Sequence, residues 1–557
     1  MIEVQRRQDG IAIVAPTLRA GWLYAAGIIL LGALVRLVGA GTRPLQPGES
    51  DAAFAAYSLY RGTLEGYVAA PLALNLQALS FWLFGSGDVQ ARLPGILAGC
   101  GLIAVPLFLT NLSLDRRVGA AAIVAVSSTS IFAAREGAEA SVSTLLAAGL
   151  AVALWNQSHA PSRRWILIAA CTLGLGIASG PAFVASALVM LIVALVDWLP
   201  RARRWKLEAS ARHQARLVAI LIALSFTLGA TGLGTNLPGF QAGLASLWRW
   251  VSILLPSGFG RLPGWALDDP LLPLLALIGA AVVLRGGLPG ERLLVVWAAS
   301  QGALLILTGA TDLRFIALAV PPFALLGGAT LGAAKRRMSG ASLGDFAWIA
   351  MLAIVPVIFF IFSALNLATM ARALRPEVVL FAVSALGLVI LFAVSTRPRR
   401  EWIPTAVLAL GLLLMLAQFR GIATLNLGEP RAGQSLLRPT ATLVSIREVS
   451  RVTELWERAE PRGTIVVDES LKASLAWELR ERQTVRYEPV GALIRDNAVV
   501  ASNAPRGALE GREIISIPIQ ESMPDSARPF SPGTSLRWYL SRESLERPES
   551  HAILLVH

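Results

Sequence analysis

Between Asp345 and Arg372 the chain runs for 26 residues without a charged side chain, and similar stretches recur along its first 419 residues. A helix crossing the hydrocarbon core of a bilayer needs about 20 predominantly apolar residues. In lipid, only helices and closed barrels satisfy all of their own backbone polar groups. Runs this long and this apolar therefore specify a polytopic α-helical membrane protein. The expected spans are 20–40, 91–111, 118–134, 140–156, 165–179, 181–198, 217–235, 270–286, 293–310, 314–333, 346–369, 378–396 and 402–419. Composition agrees: 55% of residues are hydrophobic and 15% charged, against about a quarter charged in soluble proteins. The first span is read as retained. Its apolar run is too long, and its leader with Arg6, Arg7 and Arg19 too extended, for a cleaved signal.

Charge divides the chain in two. Residues 420–557 carry 18 basic and 18 acidic side chains, so the whole excess of +13 lies in the first 419 residues. That excess clusters in alternate loops. With the N-terminus inside, 21 of the 31 basic residues of the membrane part fall in cytoplasmic loops, as the positive-inside rule requires. A basic stripe on a soluble face, the mark of nucleic-acid binding, is not what this pattern describes. The reading is a plasma (inner) membrane protein with a cytoplasmic N-terminus. Residues 1–419 form the membrane domain, with long outer loops at 41–90 and 236–269. Residues 430–557 form a small extracytoplasmic α/β domain.

One further apolar stretch, 71–86, would invert the later basic loops if it crossed. It is read as a helix on the outer surface anchored by Phe81 and Trp82. Residues 49–62 are expected to form a second surface helix. An amphipathic run holding Trp248, Trp250 and Trp265 is expected to form a third. In the tail, helices are expected at 446–459 and 470–482, with strands at 463–468, 513–519 and 552–557. Cys100 and Cys171 both fall in apolar spans and form no disulfide framework.

Charges within the spans are scarce. Arg36 and Asp197 sit near span ends, where snorkelling explains them. The chemistry-bearing residues lie instead at the outer boundary: Glu49 and Asp51 after the first span, Arg135, Glu136 and Glu139 after the third, and Arg61 and Arg314 at the same level. Carboxylates from two outer loops offer a general base for an acceptor hydroxyl, or oxygen ligands for a divalent cation such as magnesium or manganese. Arginines offer bidentate pairing to a departing phosphate. Acids at a membrane boundary are also commonly just solvated, and Glu49 and Asp51 equally suit the first turn of a helix.

The arrangement resembles the GT-C glycosyltransferases, which include the protein O-mannosyltransferases, the lipid A aminoarabinose transferase and the catalytic subunit of oligosaccharyltransferase. Gln46-Pro47-Gly48-Glu49 stands where these carry Pro-Asp-Glu. Residues 84–93 (FGSGDVQARL) resemble their signature before the second span, and Arg135-Glu136-Gly137-Ala138-Glu139 their second acidic motif. Residues 535–542 (SLRWYLSR) are similar to a tail stretch of the archaeal-type "flippase activity-associated" branch. The resemblance implies about thirteen spans and transfer of a sugar from a polyprenyl-phosphate-linked donor, with inversion, to an acceptor on the extracytoplasmic face. It implies catalytic roles for Glu49, Asp51 and Glu139, which are also the candidate metal ligands, and donor-phosphate binding by Arg135, Arg314 and Arg61. The partners implied are the lipid-linked sugar, membrane lipids and an unspecified lipid, glycan or protein acceptor.

The departures from the pattern are specific. The family's Asp is Gly48 here, and its phosphate-binding lysines fall at Ala70-Pro71 and Ser179-Gly180-Pro181. Two alternatives therefore stand beside the transferase: a catalytically inactive scaffold of the same fold in envelope assembly, and a transporter of lipids or sugar-lipids.

Overall fold

A computed structural model describes residues 21–337, apart from 65, 67, 203–208, 254–264, 267, 288 and 309–311. It also describes 418, 422 and most of 430–556, without 434–439, 461–462, 483, 490–497, 503–513 and 523–547. The expected spans 346–369 and 378–396, nearly all of 402–419, and the stretch 535–542 lie outside the described residues.

The membrane part is helical. α1 covers Gly21–Leu37. It is followed by α2 (Pro47–Arg61), α3 (Pro71–Phe84), α4 (Asp88–Ala104, extended by a 3-10 turn to Phe108), α5 (Leu114–Val126), α6 (Ser128–Glu136) and α7 (Ala138–His159). Next come α8 (Arg163–Ser179), α9 (Pro181–Ala202), α10 (Ala209–Thr231), α11 (Pro238–Ile253), α12 (Leu271–Gly286), α13 (Arg292–Leu307) and α14 (Leu313–Arg337). Among the described residues four helices, or five counting a bent pair, are long and apolar enough to cross a bilayer. α1, α3, α9, α12 and α13 are shorter apolar helices. Each expected span up to 314–333 coincides with one of these helices, α8 or the bent pair. α14 runs through the middle of the bundle, its hydrophobic window 89% buried.

Three details of the membrane part differ from the sequence reading. The expected span 118–134 is a broken pair: α5 and α6 meet at Ser127 with a bend of 55°. The run Ser127-Ser128-Thr129-Ser130 is the cause, since short hydroxyl side chains compete for backbone groups. Ser127 Oγ accepts from the Ser130 amide and donates to Asp269 Oδ2 at 2.5 Å, which also accepts from the Thr129 amide. Arg36 does not snorkel. It is fully buried and donates to the carbonyls of Gly32, Val124 and Ala125 and to Ser130 Oγ. The broken turn thus offers Arg36 the oxygens that a long apolar helix cannot. Trp265 is buried and donates to Thr129 Oγ1 at the same break, whereas Trp248 on α11 is exposed, as expected of a surface anchor.

The C-terminal region is a mixed sheet with helices. Its strands are β1 (Thr440–Thr442), β2 (Ile465–Asp468), β3 (Val485–Glu488), β4 (Ala498–Ala501), β5 (Ile514–Ser522) and β6 (Glu549–Val556), and the described sheet order is β1-β5-β6-β4-β2-β3. β2 pairs parallel with β3 and β4, and the other pairings are antiparallel. Helix α15 (Ile446–Ala459) packs on β5, burying Ile446, Val449 and Thr453. The expected helix 470–482 is only a 3-10 turn and the single turn α16 (Lys472–Leu475), followed by turns. Leu475, Ala476, Trp477 and Leu479 are all buried. Three consecutive buried residues exceed what one helical stripe can face inward.

Trp477 anchors this region to the membrane part. Its ring stacks on Phe81 of α3 at 5.4 Å, and its Nε1 donates to Asp88 Oδ1 at 2.8 Å. Arg447 pairs with the other Asp88 oxygen at 2.7 Å, and Gln46 Oε1 accepts from the amide and hydroxyl of Thr442. Trp477→Phe keeps the stacking and removes the bond to a charged acceptor, worth about 1.5–3 kcal/mol. The variant is expected to unfold at lower temperature in detergent and to lose the C-terminal region faster to limited proteolysis. Unchanged unfolding and cleavage would deny the anchor.

Candidate active site

The chain direction brings to one face of the bundle, among others, the ends of α1, α6 and α8 and the starts of α2, α3, α4, α7, α9 and α14. Between them lies a cavity of about 270 Å³ walled by Glu49, Arg92, Arg135, Glu136, Glu139 and Arg314. Five residues named from the sequence, Glu49, Arg135, Glu136, Glu139 and Arg314, are therefore brought together.

Glu49 stands in the first turn of α2. Its Oε2 accepts from the Gln46 amide at 2.9 Å, completing a capping box. The same carboxylate holds Arg92 of α4, with Nε to Oε1 at 3.1 Å and Nη2 to Oε2 at 3.0 Å. Arg92 also donates to the carbonyls of Ala40, Arg43 and Pro44. Both side chains are nearly buried, at 6% and 9% exposure. The pair therefore fastens the loop after α1 to α2 and α4, and both Glu49 oxygens are committed.

Arg135, in the last turn of α6, donates to the carbonyls of Val38 at 2.8 Å and Gly39 at 2.5 Å. These close the end of α1, where carbonyls lack helical partners and a cation is favoured.

Glu139 begins α7 just after the break at Gly137. Its Oε1 accepts from Arg314 Nη1 at 3.0 Å. Arg314 is held from its other side by Asp312, with Nε to Oδ1 at 2.9 Å and Nη2 to Oδ2 at 2.5 Å. Unlike the Glu49 pair, this group is open, with Glu139 and Arg314 side chains 24% and 28% exposed. It is the accessible chemistry of the cavity. The turn between α8 and α9 passes directly over it. Gly180 has φ +129°, and a Cβ there would lie 2.7 Å from Glu139 Oε1 and 3.7 Å from the Ala70 Cβ. The two positions where the resembled family carries phosphate-binding lysines are thus neighbours of each other, with Gly180 on the Glu139 carboxylate, and glycine is what lets the turn approach it.

Asp51 and Arg61 do not join the site. Both are exposed on α2, and neither lines the cavity. Asp51 lies two residues from Glu49, about 200° around the helix. Arg92 and Asp312 are site residues to which the sequence reading gave no role. Arg92 was visible inside the FGSGDVQARL stretch. Asp312 carried only the weak signal of an acid two residues ahead of Arg314 at a helix start.

The carboxylates do not fit a divalent cation as arranged. Glu49 and Glu139 each hold an arginine, Asp51 faces away, and no group of three potential ligands gathers among the described residues. No step below is routed through a metal.

Residues 68–229, less than a third of the chain, match the family model described as dolichyl-phosphate-mannose-protein mannosyltransferase. No curated protein sequence matches the chain. The fold is similar to two crystal structures of ArnT from Cupriavidus metallidurans. The apo form has TM-score 0.55 and 14% identity, over 97% of this chain and 98% of that one. The form bound to undecaprenyl phosphate has TM-score 0.54 and 15% identity, over 96% and 98%. The chain thus has the fold of the GT-C glycosyltransferases, the superfamily that the sequence motifs resemble.

Proposed function

We propose that this protein is a membrane glycosyltransferase that moves a sugar from a polyprenyl-phosphate-linked donor to an acceptor on the extracytoplasmic face. The observation that carries the reading is the Glu139–Arg314–Asp312 group, open to a cavity that the helix ends enclose in a GT-C fold. The undecaprenyl phosphate bound to the similar ArnT supports the donor class. The basic-loop asymmetry supports placing the cavity, and the domain at 430–557, outside the cytoplasm, with 1–419 as the membrane domain.

In this reading Arg314 has two partners in turn. Without donor it rests between Glu139 and Asp312. The donor phosphate, a better bidentate acceptor, draws it away. Glu139 is then unpaired and basic beside the anomeric carbon. The acceptor oxygen forms the new C–O bond as its proton passes to Glu139. The bond from the anomeric carbon to the phosphate oxygen breaks, and its electron pair leaves on polyprenyl phosphate, stabilised by Arg314. Attack from the side opposite the leaving group inverts the anomeric centre. Glu49, Arg92 and Arg135 hold the walls.

A second reading, the catalytically inactive scaffold, is favoured by one observation: Arg92 and Arg314 are already matched by carboxylates, and glycine and alanine stand at the lysine positions. Donor binding separates the two. Arg314→Gln is expected to weaken binding of radiolabelled polyprenyl phosphate to the purified protein in nanodiscs by about tenfold to a hundredfold, the worth of a charge-assisted hydrogen bond. Binding of equal strength in both proteins would remove Arg314 from the site. No binding by either would favour the scaffold.

A further inference from the structure

Asp269, two residues ahead of α12, is a fully buried acid that the proposed reaction does not use. Its Oδ2 accepts from Ser127 Oγ at 2.5 Å and from the Thr129 amide at 3.1 Å. Its Oδ1 accepts from Gln418 Nε2 at 2.6 Å. A carboxyl group out of water keeps its place only where donors meet its oxygens. Two of these donors belong to the start of α6. The first amides of a helix have no partner within it. Asp269 takes that of Thr129, and Ser127 Oγ takes that of Ser130 at 3.1 Å. Asp269 thus caps α6 from a segment 140 residues away.

The other end of α6 is the site. The helix has nine residues, a length of about 13 Å. Gly137 is both its C-cap and the N-cap of α7, two residues before Glu139. Ala133 of α6, Ala140 of α7 and Ala317 of α14 form one buried cluster, with Leu313 packed against it. Ala140 follows Glu139, and Leu313 precedes Arg314. Alanine has no rotamer with which to absorb a shift, and close-packed interiors transmit strain. A displacement at the start of α6 is therefore passed on to Glu139.

We propose that Asp269 is a positioning residue for sugar transfer: it fixes the start of α6, and α6 fixes where Glu139 stands opposite Arg314. Its effect on turnover rests on the transferase reading, whereas its hold on α6 does not. Arg314 is held separately by Asp312, so donor binding should be spared.

The test compares three variants in nanodiscs by hydrogen exchange of residues 128–136 and by steady-state transfer. Asp269→Ala removes the cap. Ser127→Ala removes the hydroxyl link and leaves the carboxyl group. Asp269→Asn keeps an oxygen for Ser127 and Thr129 and turns its amide toward Gln418 Oε1, which is buried without a partner among the described residues. In Asp269→Ala, α6 should exchange at least tenfold faster while α10 exchanges as in wild type. Its kcat should fall about tenfold to a hundredfold, since a displacement of about 1 Å can cost about 10²-fold. The donor KM should stay within threefold. Ser127→Ala should move exchange and kcat in the same direction, and Asp269→Asn should restore both to within threefold of wild type. Should Asp269→Ala fail to fold, Ser127→Ala and Asp269→Asn decide. Wild-type exchange of α6 in Ser127→Ala would overturn the proposal. So would faster exchange with unchanged kcat, or a kcat in Asp269→Asn as low as in Ser127→Ala. A wild type that transfers no sugar, with α6 exchange responding as expected, would end the transferase reading and leave Asp269 as the cap of α6.

Discussion

Glu139→Gln is expected to lower sugar transfer by about 10²–10⁴-fold, the usual contribution of a general base. The substitution keeps the shape of the side chain and its acceptor oxygen for Arg314, but removes the charge that takes the acceptor proton. Stability should change little. Arg314 keeps Asp312, bound through two of its nitrogens, and the group is open enough for water to reach it. The check is turnover per folded molecule, with detergent-solubilised protein compared by size exclusion and thermal unfolding. Full turnover in the variant would take Glu139 out of the chemistry. Lost turnover together with lost folding would make Glu139 a structural acid.

Glu49→Gln is expected to behave in the opposite way. Arg92 would stay buried with its charge no longer matched, and breaking one side of a buried pair typically costs about 3–5 kcal/mol. The carbonyls of Ala40, Arg43 and Pro44 remain as partners and hold the loss toward the lower end of that range. The expected result is reduced abundance and a lower unfolding temperature, with turnover per folded molecule much nearer wild type than in Glu139→Gln. This revises the catalytic role that the motif alone implies for Glu49. Normal stability with abolished transfer would return Glu49 to the role of base.

The positions of the helices were legible because a bilayer permits so few solutions to long uncharged runs. What could not be read was what the polar residues inside those runs do. Arg36 looks like a snorkelling end charge until the Ser127–Ser130 break supplies oxygens for it in the core. That break depends on Asp269, 142 residues away in sequence. The segment 470–482 has helical composition, but Trp477 leaves its own chain to dock on Phe81 and Asp88. The partner that decides its conformation is therefore 389 residues distant.

The site was half legible. Glu49, Glu139, Arg135 and Arg314 sit at helix ends that the alternation of spans brings to one face, so their meeting follows from topology. Their division of labour does not. It depends on which arginine each carboxylate meets: Arg92 stood inside the FGSGDVQARL stretch without a stated partner, and Asp312 carried no motif of its own. Asp51 was lost to the turn of α2, which points it away from the wall that Glu49 faces, and Arg61 lies at the other end of α2, about 18 Å along its axis.

The central claim is that this cavity transfers sugar from a polyprenyl phosphate. The direct measurement is transfer of radiolabelled sugar from a panel of polyprenyl-phosphate donors by purified protein in proteoliposomes, supplied with envelope extract as acceptor. Product should form with at least one donor in wild type and should fall at least a hundredfold in Glu139→Gln at equal folded protein. Absence of product with every donor, or product formed equally by both proteins, would contradict the claim.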